Sequence, residues 1–219
     1  MVKLRGEMEL SASIEDYAKA IYALEERHGV VSTTALAERL GVSAPAVSAM
    51  VKKLASLGYV SHVPYRGVRL TDEGRRVALE VLRHHRLLET YLVEELGVPW
   101  DRVHAEAEVL EHVLSEGLEE RIAAKLGEPT HDPHGDPIPA VDGTVVEPAT
   151  VALAALSTGD RGRFVRVSDS DPKLLRELAA LGIRPGIDVE IVPGGVRAGS
   201  VTHRLRPKLA RVMRVEVAS

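Results

Sequence analysis

The chain has 219 residues, no cysteine and a formal net charge of −4 at pH 7. The lack of cysteine excludes disulfides and thiolate metal sites, so any metal ligands must be His, Asp, Glu or backbone oxygen. No apolar run of about 18 residues and no N-terminal secretory pattern are present, so we predict no membrane association and a cytoplasmic location.

Charge is distributed unevenly along the chain. Residues 1–70 carry +2, residues 71–127 carry −6, residues 128–148 carry −5 and residues 149–219 carry +5. A slightly basic N-terminal part followed by an acidic one suggests that the first faces an anion and the second faces a cation.

The first 70 residues have the pattern of three helices and a two-stranded ribbon. Apolar positions at helical spacing predict helices over about 14–28, 35–40 and 45–57, the first capped by Ser13. Two short apolar runs around a turn then predict the ribbon. With a tight turn between the second and third helices, residues 1–70 are predicted to form a winged helix-turn-helix.

The predicted third helix is suited to DNA. Its small side chains allow close approach to base edges, and Ser and Lys bind phosphates or bases. The candidate DNA contacts lie on this helix and at the tip of the ribbon: Ser43, Pro45, Ala46, Ser48, Lys52 and Arg66. Few long base-reading side chains are present, so DNA shape should carry much of the specificity. A winged helix that binds protein is the alternative.

Residues 71–128 predict a helical domain. Its helices should cover about 71–96, 100–115 and 118–126, with stripes of Leu and Val. Helices of this length after a DNA-binding segment commonly pair across a dimer axis, which predicts a homodimer.

The second of these helices carries an unusual row of polar side chains. At 100° per residue, four potential metal ligands share one face beside an apolar stripe. They are His104, Glu108, Glu111 and His112. Partly desolvated imidazoles and carboxylates need a compensating cation, which favours a metal.

Ligands from three predicted helices form two sets. Antiparallel packing would unite one set: His85, Glu89 and His104. The other set adds a carboxylate from the first helix: Asp16, Glu108, Glu111 and His112. Sites rich in carboxylates with one imidazole suit hard divalent ions, especially Mn²⁺. Alternatively, any one of these residues is typical of a solvated helix surface, with His85 simply paired to Glu89.

The remaining chain changes character twice. Residues 129–148 are rich in Pro, Gly and Asp without periodicity, which predicts a linker. Residues 149–219 alternate in polarity over 162–167, 188–192 and 210–217, with one helix near 172–181. This pattern predicts a small five-stranded, SH3-like barrel, and the whole chain is then an α+β protein.

This order of parts resembles the diphtheria toxin repressor family of iron- and manganese-dependent regulators. The similarity lies in five segments, namely residues 15–17, 43–48, 84–89, 103–113 and 136–139. The resemblance implies a primary site formed by Asp16, Glu108, Glu111 and His112. It also implies an ancillary site formed by His85, Glu89 and His104, with an oxygen ligand from the barrel, for which Asp171 is the nearest candidate.

Two positions depart from the iron-type pattern, and a third departs from the pattern of some manganese regulators. Asp16 and Glu108 stand where iron-type members have Met and Cys, which resembles the manganese regulators. Lys19 stands where some manganese regulators have another carboxylate. Its cation argues against a closely spaced two-metal cluster and favours two separate sites.

These features predict a repressor activated by Mn²⁺ that controls metal-homeostasis genes and is not an enzyme. It should bind a palindromic DNA operator as a homodimer, with one or two dimers per operator. Fe²⁺ is the nearest alternative cofactor, and Co²⁺, Ni²⁺, Zn²⁺ or Cd²⁺ are expected to substitute in vitro. Two other classes stay open: a metal-dependent hydrolase or oxidase, and a metal-free adaptor.

Overall fold

The computed structural model describes residues 11–63 and 67–218. Within this part the chain divides into two compact units. Unit 1 holds the described residues up to His85, with Val109–Arg121 and Pro139–Thr144. Unit 2 holds Arg86–Glu108, Ile122–Ile138 and the chain from Val145 onward. Among the helices described, none has the length and apolar character needed to span a bilayer.

Unit 1 begins with the predicted three helices and two-stranded ribbon. The elements are α1 (Ala12–His28), α2 (Thr33–Leu40), α3 (Ala44–Ser56), β1 (Val60–Val63) and β2 (Gly67–Leu70). The two strands are antiparallel, with Val60 opposite Leu70. Val31, which precedes α2, adds a short bridge to Val68 of β2. The order confirms the winged helix-turn-helix prediction.

Helix α1 starts two residues earlier than predicted, at Ala12 rather than residue 14. Ser11, in an extended conformation, is the N-cap, and its carbonyl accepts a hydrogen bond from the backbone of Ile14 at 2.8 Å. Ser13 therefore lies inside the helix, because the Ser11 carbonyl accepts the first hydrogen bond of the helix. The predicted apolar face is buried as expected, and its members are Ile14, Ala18, Ile21 and Leu24.

Three helices follow the ribbon, namely α4 (Asp72–Glu94), α5 (Val103–Leu110) and α6 (Glu116–Lys125). The Thr71 hydroxyl caps α4, accepting from the Gly74 backbone at 3.1 Å and donating to the Gly58 carbonyl at 2.6 Å. A Cβ on Gly74 would lie 1.9 Å from the Tyr59 carbonyl oxygen. Only glycine allows α4 to begin this close to the ribbon.

Helix α5 is shorter than the sequence predicts. It ends at Leu110, and Glu111–Val113 form a separate turn of 3-10 helix. The single helical face predicted across residues 104–112 is therefore wrong. A tighter last turn is common where a helix ends, and here the buried Glu111 side chain forms tertiary contacts that periodicity does not encode.

Unit 2 contains a six-stranded sheet in the order β3-β8-β4-β5-β6-β7, all neighbours antiparallel. The strands are β3 (Val151–Ala152), β4 (Arg161–Val167), β5 (Asp188–Val192), β6 (Gly195–Ala198), β7 (Val201–His203) and β8 (Met213–Val217). Two helices accompany it, α7 (Pro172–Ala180) and α8 (Pro207–Val212).

The sheet differs from the prediction in two ways. It has six described strands rather than five, because β3 is only two residues long and gives no alternating pattern. Residues 210–212 belong to α8 rather than to the last strand. Pro207 suits the first turn of a helix, and the helix buries Leu209 completely.

The core of unit 2 lies between the sheet and its helices. Its fully buried members include Phe164 of β4, Leu178 of α7, Leu209 of α8 and Met213 of β8. Trp100, which follows α4, belongs to the same core and is 4% exposed. Apolar burial of this kind is the main favourable contribution to folding.

Part of the predicted linker is folded. The Asp132 carboxylate accepts hydrogen bonds from the backbone of His134 at 2.8 Å and of Asp136 at 2.9 Å. The His134 carbonyl accepts from the backbone of Val167 in β4 at 2.9 Å. Gly135 has φ 86°, and a Cβ there would lie 1.8 Å from the Val165 carbonyl oxygen. This glycine brings the 132–136 loop directly onto β4.

Candidate metal centres

Three potential metal ligands meet in unit 1, and we call them cluster 1: Asp16, Glu111 and His112. Nε2 of His112 lies 3.0 Å from Oδ1 of Asp16 and 3.5 Å from Oε1 of Glu111. One donor atom from each residue lies within 4.8 Å of the other two. Helix α1 supplies Asp16, and the 3-10 turn after α5 supplies the other two.

A buried carboxylate fixes the His112 ring. Oε2 of Glu15 lies 2.5 Å from Nδ1 of His112, and Glu15 is only 1% exposed. A carboxylate at Nδ1 favours the proton on that nitrogen, which leaves Nε2 as the ligand atom. In the sequence, Glu15 is only part of a segment similar to the family and carries no predicted role. Its position immediately before a candidate ligand, on the buried side of α1, was the available signal.

The Glu111 carboxylate already has two partners. Nδ1 of His85 lies 2.5 Å from one oxygen, and Nζ of Lys19 lies 2.5 Å from the other. Although burial favours the neutral acid, these two partners hold the pKa of Glu111 below its usual value. Glu111 is therefore a carboxylate in cluster 1, as a metal ligand must be.

A second group of ligands meets in unit 2, and we call it cluster 2: Glu89, His134 and Asp169. One donor atom from each lies within 4.8 Å of the other two. His104 borders the cluster, with Nδ1 2.9 Å from Asp169 and 3.3 Å from Glu89. Glu89 comes from α4, His134 from the 132–136 loop, and Asp169 from the chain between β4 and α7.

His134 presents a nitrogen to this cluster. The ring is completely buried, and its Nε2 donates to the Trp100 carbonyl at 2.8 Å. Its Nδ1 is buried without a hydrogen-bond partner among the described residues, and the nearest Glu89 oxygen is 3.7 Å away. Such a buried polar atom is costly, and a cation bound by Glu89 and Asp169 would satisfy it. The residues of cluster 2 thus fit a metal ion.

Protonated imidazoles neutralise the carboxylates of cluster 2. Hydrogen bonds to Asp169 and Glu89 raise the pKa of His104 to about 10. Burial favours the neutral His134 ring, but Glu89 and Asp132 outweigh it and raise the pKa of His134 to about 9. The pKa of Asp169 is lowered, because its contacts with His104 outweigh burial.

Comparisons with known proteins identify the family of the chain. Two family models, described as the N-terminal DNA binding domain and the metal binding and dimerisation domain of iron dependent repressors, match residues 9–68 and 71–140. A model described as the FeoA domain matches residues 151–217. The chain is 35% identical over 226 aligned positions to the iron-dependent repressor IdeR of Mycobacterium tuberculosis, covering 95% of this chain and 98% of that protein.

The chain belongs to the iron-dependent repressor family. Solved structures of similar proteins include a manganese-dependent transcriptional repressor in complex with manganese, which is 45% identical, has a TM-score of 0.84 and covers 94% of this chain and 100% of its own. IdeR of T. acidophilum is 30% identical with a TM-score of 0.72, covering 98% of this chain and 100% of its own.

The family confirms the predicted architecture and function class. Its members are metal-dependent transcriptional repressors that bind DNA and dimerise, and they are not enzymes. The predicted order of a DNA-binding domain, a helical dimerisation domain and an SH3-like β domain is confirmed. Both iron- and manganese-dependent proteins are among the similar ones.

The other predicted ligands lie in both units. His85 contacts Glu111 of cluster 1. In unit 2, Glu89 and His104 are neighbours, as predicted. Glu108 lies one helical turn from His104, with 3.6 Å between its Oε1 and the His104 Nε2.

The segment between β4 and α7 contributes Asp169 to cluster 2, whereas the predicted Asp171 lies elsewhere. Asp171 is the N-cap of α7, where it accepts from the Lys173 backbone at 3.1 Å and from Nζ of Lys208 at 2.7 Å. The hydrogen bond from Lys208 is the main reason that the pKa of Asp171 is lowered. The two aspartates are two residues apart, and nothing in the sequence distinguishes Asp169 from Asp171 as a ligand.

The candidate DNA contacts lie on the exposed side of α3. Exposed residues on this helix and at its cap include Ser43, Pro45, Ala46, Ser48 and Lys52. Ser43 caps the helix, accepting from the Ala46 backbone at 3.4 Å, and Ser48 donates to the Ala44 carbonyl at 2.9 Å. Arg66 lies outside the described residues. The opposite side of α3 is buried through Val47, Val51 and Leu54.

Proposed function

We propose that this repressor is activated by Mn²⁺ held at cluster 1 and cluster 2. Every candidate donor is a carboxylate oxygen or an imidazole nitrogen, and the chain has no cysteine. Such sites suit Mn²⁺ better than metals that prefer thiolates. When bound, the ion supplies positive charge that holds the carboxylates together.

The contact between Asp16 and His112 carries this proposal. Asp16 belongs to the first helix of the DNA-binding domain, whereas Glu111 and His112 belong to the metal binding and dimerisation segment. A cation shared by these three side chains would cross-link the two segments within unit 1. Helix α3 would then be fixed in the dimer at the half-site spacing of a palindromic operator, about one helical turn of DNA. The metal would activate DNA binding because it binds this DNA-competent state more tightly than the other conformations of the protein.

Cluster 2 is proposed as the second site. Glu89, His134 and Asp169 would bind the ion, His104 would border or join them, and Asp169 takes the place predicted for Asp171. Glu89 belongs to the dimerisation segment and Asp169 to the FeoA-like segment. The second ion would therefore stabilise the folded arrangement of unit 2.

The repressor works in the cytoplasm as a homodimer, with one or two dimers on each operator. Its domains extend over residues 1–70, 71–128 and 149–219, with residues 129–148 joining the last two. Its targets are genes of metal homeostasis.

DNA binding under anaerobic metal titration tests the proposal. Duplexes are first selected from a random pool with the Mn²⁺-loaded protein, and one selected duplex is then titrated in Mn²⁺, Fe²⁺ and Zn²⁺. We expect binding only with metal, at the lowest free concentration for Mn²⁺ relative to its cellular range. Equal DNA affinity without metal would overturn the proposal.

Substitutions separate the metal ligands from their neighbours. Asp16→Ala should abolish metal-dependent DNA binding. Glu108→Ala, which removes the carboxylate beside His104, should reduce the metal response without abolishing it. Glu106→Ala, an exposed carboxylate on the same helix as Glu108, should leave it intact. Glu108→Cys should shift the response toward Fe²⁺, because a soft sulfur replaces a hard oxygen.

Fe²⁺ is the second candidate cofactor, since iron-dependent repressors are 35% identical to the chain. It is favoured if the anaerobic titration gives half-maximal DNA binding at a lower concentration of Fe²⁺ than of Mn²⁺ when each concentration is expressed relative to the cellular range of that ion. It is also favoured if Glu108→Cys leaves the order of the two metals unchanged.

A further inference from the structure

An aromatic stack covers the His134 ring of cluster 2. The Trp100 ring lies 5.5 Å from the His134 ring, centroid to centroid, and the two planes differ by 15°. The guanidinium carbon of Arg184 lies 3.7 Å from the centroid of the Trp100 ring. Trp100 is the only tryptophan of the chain, and the residue is 4% exposed.

Trp100 also acts on His134 through its main chain. The Trp100 carbonyl accepts the hydrogen bond from Nε2 of His134 at 2.8 Å. A proton held on Nε2 directs Nδ1 toward the carboxylates of Glu89 and Asp169. One residue therefore fixes the ligand in two ways, since the ring sets the plane of the imidazole and the carbonyl sets its tautomer.

Two turns hold this stack in unit 2. Trp100 lies in the turn between α4 and α5, which is closed by the hydrogen bond from the Val98 backbone to the Leu92 carbonyl at 2.9 Å. Arg184 lies in the turn between α7 and β5, where burial lowers the pKa of its guanidinium and the charge of Asp101 opposes that shift. Asp101 itself is paired with Arg176 at 2.8 Å.

We propose that Trp100 is a positioning residue for the His134 ligand and that Arg184 holds the Trp100 ring in place. The inference rests on the proposed second metal site. A tryptophan in a core is ordinarily explained by burial alone, but burial does not require a parallel imidazole or a guanidinium over the ring. Stacking and cation–π contacts both depend on orientation. The position of Arg184, in the turn between α7 and β5, therefore restrains the Trp100 ring, and the Trp100 ring restrains the His134 ring.

The test measures metal binding at cluster 2 alone. In a His112→Ala parent, which lacks a cluster 1 ligand, the dissociation constant for Mn²⁺ is measured from the electron paramagnetic resonance signal of the free ion. We expect Trp100→Leu to raise this constant about tenfold, the range for residues that orient metal ligands. Trp100→Phe, which keeps an aromatic face, should restore it to within about threefold of the parent.

Arg184 supplies a second test that does not disturb the core. Arg184→Met should raise the constant about threefold, and Arg184→Lys should recover part of the loss because a cation remains over the ring. Arg176→Met is the matched control, since this arginine pairs with Asp101 but is not stacked on Trp100. In the parent, Trp100 emission should change with the same midpoint as metal binding, and His134→Ala should remove that change.

The outcomes separate the two levels of the proposal. If the parent binds Mn²⁺ at cluster 2 and all the Trp100 and Arg184 variants bind it equally well, the positioning role is wrong and the metal site stands. If the parent binds no ion there, the second metal site is wrong, and this inference fails with it. Should Trp100→Leu fail to fold, the Arg184 variants at an exposed position decide the question.

Discussion

Clusters 1 and 2 contain the same kinds of donor, yet their carboxylates are neutralised differently. In cluster 1 the buried Glu111 is paired with the ammonium of Lys19, and the Asp16 side chain is 39% exposed. In cluster 2 Glu89 and His134 are almost completely buried, and the positive charge comes from protonated imidazoles. Under the proposal, a metal ion would compete with the Lys19 ammonium at cluster 1 and with protons at cluster 2.

This difference assigns separate roles. Cluster 1 includes Asp16 of α1, the first helix of the DNA-binding domain, so under the proposal the exchange of the Lys19 ammonium for a metal would change the contacts of that helix. Cluster 2 joins α4 to segments next to the sheet of unit 2, so its ion chiefly stabilises unit 2. The Mn²⁺ affinities of the two sites should therefore respond independently to ligand substitution, to pH and to removal of the Lys19 charge.

The largest expected effect is the loss of one ion at a time. Asp16→Ala should weaken Mn²⁺ binding at cluster 1 more than about 100-fold, because cluster 1 loses a ligand. The Mn²⁺ affinity of cluster 2 should change by less than about threefold, because all its ligands remain. Asp169→Ala should do the reverse. Equilibrium dialysis gives the stoichiometry, which should fall from two ions per chain to one in each variant. A loss of both ions from either single substitution would show that the sites are not separate.

The next effect concerns the loop that carries His134. Gly135→Ala should destabilise the protein by about 3 kcal/mol, since φ is 86° and the new Cβ would lie 1.8 Å from the Val165 carbonyl oxygen. Gly182→Ala is the matched control, with φ 70° but open space, and should cost about 1 kcal/mol. Urea unfolding of the metal-free proteins measures both.

Equal losses of unfolding free energy for the two glycine variants would contradict the account of this loop. Gly135→Ala should also weaken Mn²⁺ binding at cluster 2, whereas its Mn²⁺ binding at cluster 1 should be unchanged.

The sequence predicted the helical part of this picture well and the loops poorly. Periodicity identified α1 to α4, because helical spacing brings apolar residues to one face. Antiparallel packing of two adjacent helices was enough to predict that Glu89 and His104 are neighbours. His134 and Asp169 lie in irregular segments whose mutual approach depends on the contact of Gly135 with β4. The only local signal was a histidine between Asp132 and Asp136 in a stretch predicted as a linker.

The error at residues 111–113 has the same origin. Helical periodicity continues through Glu111 and His112, so it predicted one face shared with His104 and Glu108. The change to a 3-10 turn coincides with burial of Glu111 against His85 and Lys19, which are distant in sequence. Short-range patterns cannot encode contacts of this kind.

Proton competition gives the third prediction. The pKa of His134 is raised to about 9 from an ordinary 6.5, so at pH 7 the ring is protonated in the metal-free protein. Because Nδ1 must lose its proton to bind metal, affinity at cluster 2 should rise about tenfold per pH unit below 9 and then level off. Calorimetry of the His112→Ala protein in buffers of different ionisation enthalpy should detect the released proton.

His131→Ala is the control for this pH dependence, since His131 is exposed and outside both clusters. It should keep the same slope, and an affinity that falls as pH rises from 6 to 8 would rule out proton competition at His134.

The smallest expected effect belongs to Lys19. Lys19→Met should strengthen Mn²⁺ binding at cluster 1 about fivefold, because removal of an ammonium 2.5 Å from Glu111 is worth about 1 kcal/mol in a partly solvated setting. Lys125→Met removes an exposed lysine that pairs with Glu95 and should have no effect. Binding that is weakened or unchanged in the Lys19 variant would show that its ammonium does not compete with the metal.

Cluster 1 as the switch for DNA binding is the central claim, and one measurement tests it directly. Affinity for a selected operator duplex is measured with and without saturating Mn²⁺ in the wild-type chain, in His112→Ala and in His134→Ala. The account predicts a large metal response in the wild type, a reduced but clear response in His134→Ala, and none in His112→Ala. A full metal response in His112→Ala would contradict it.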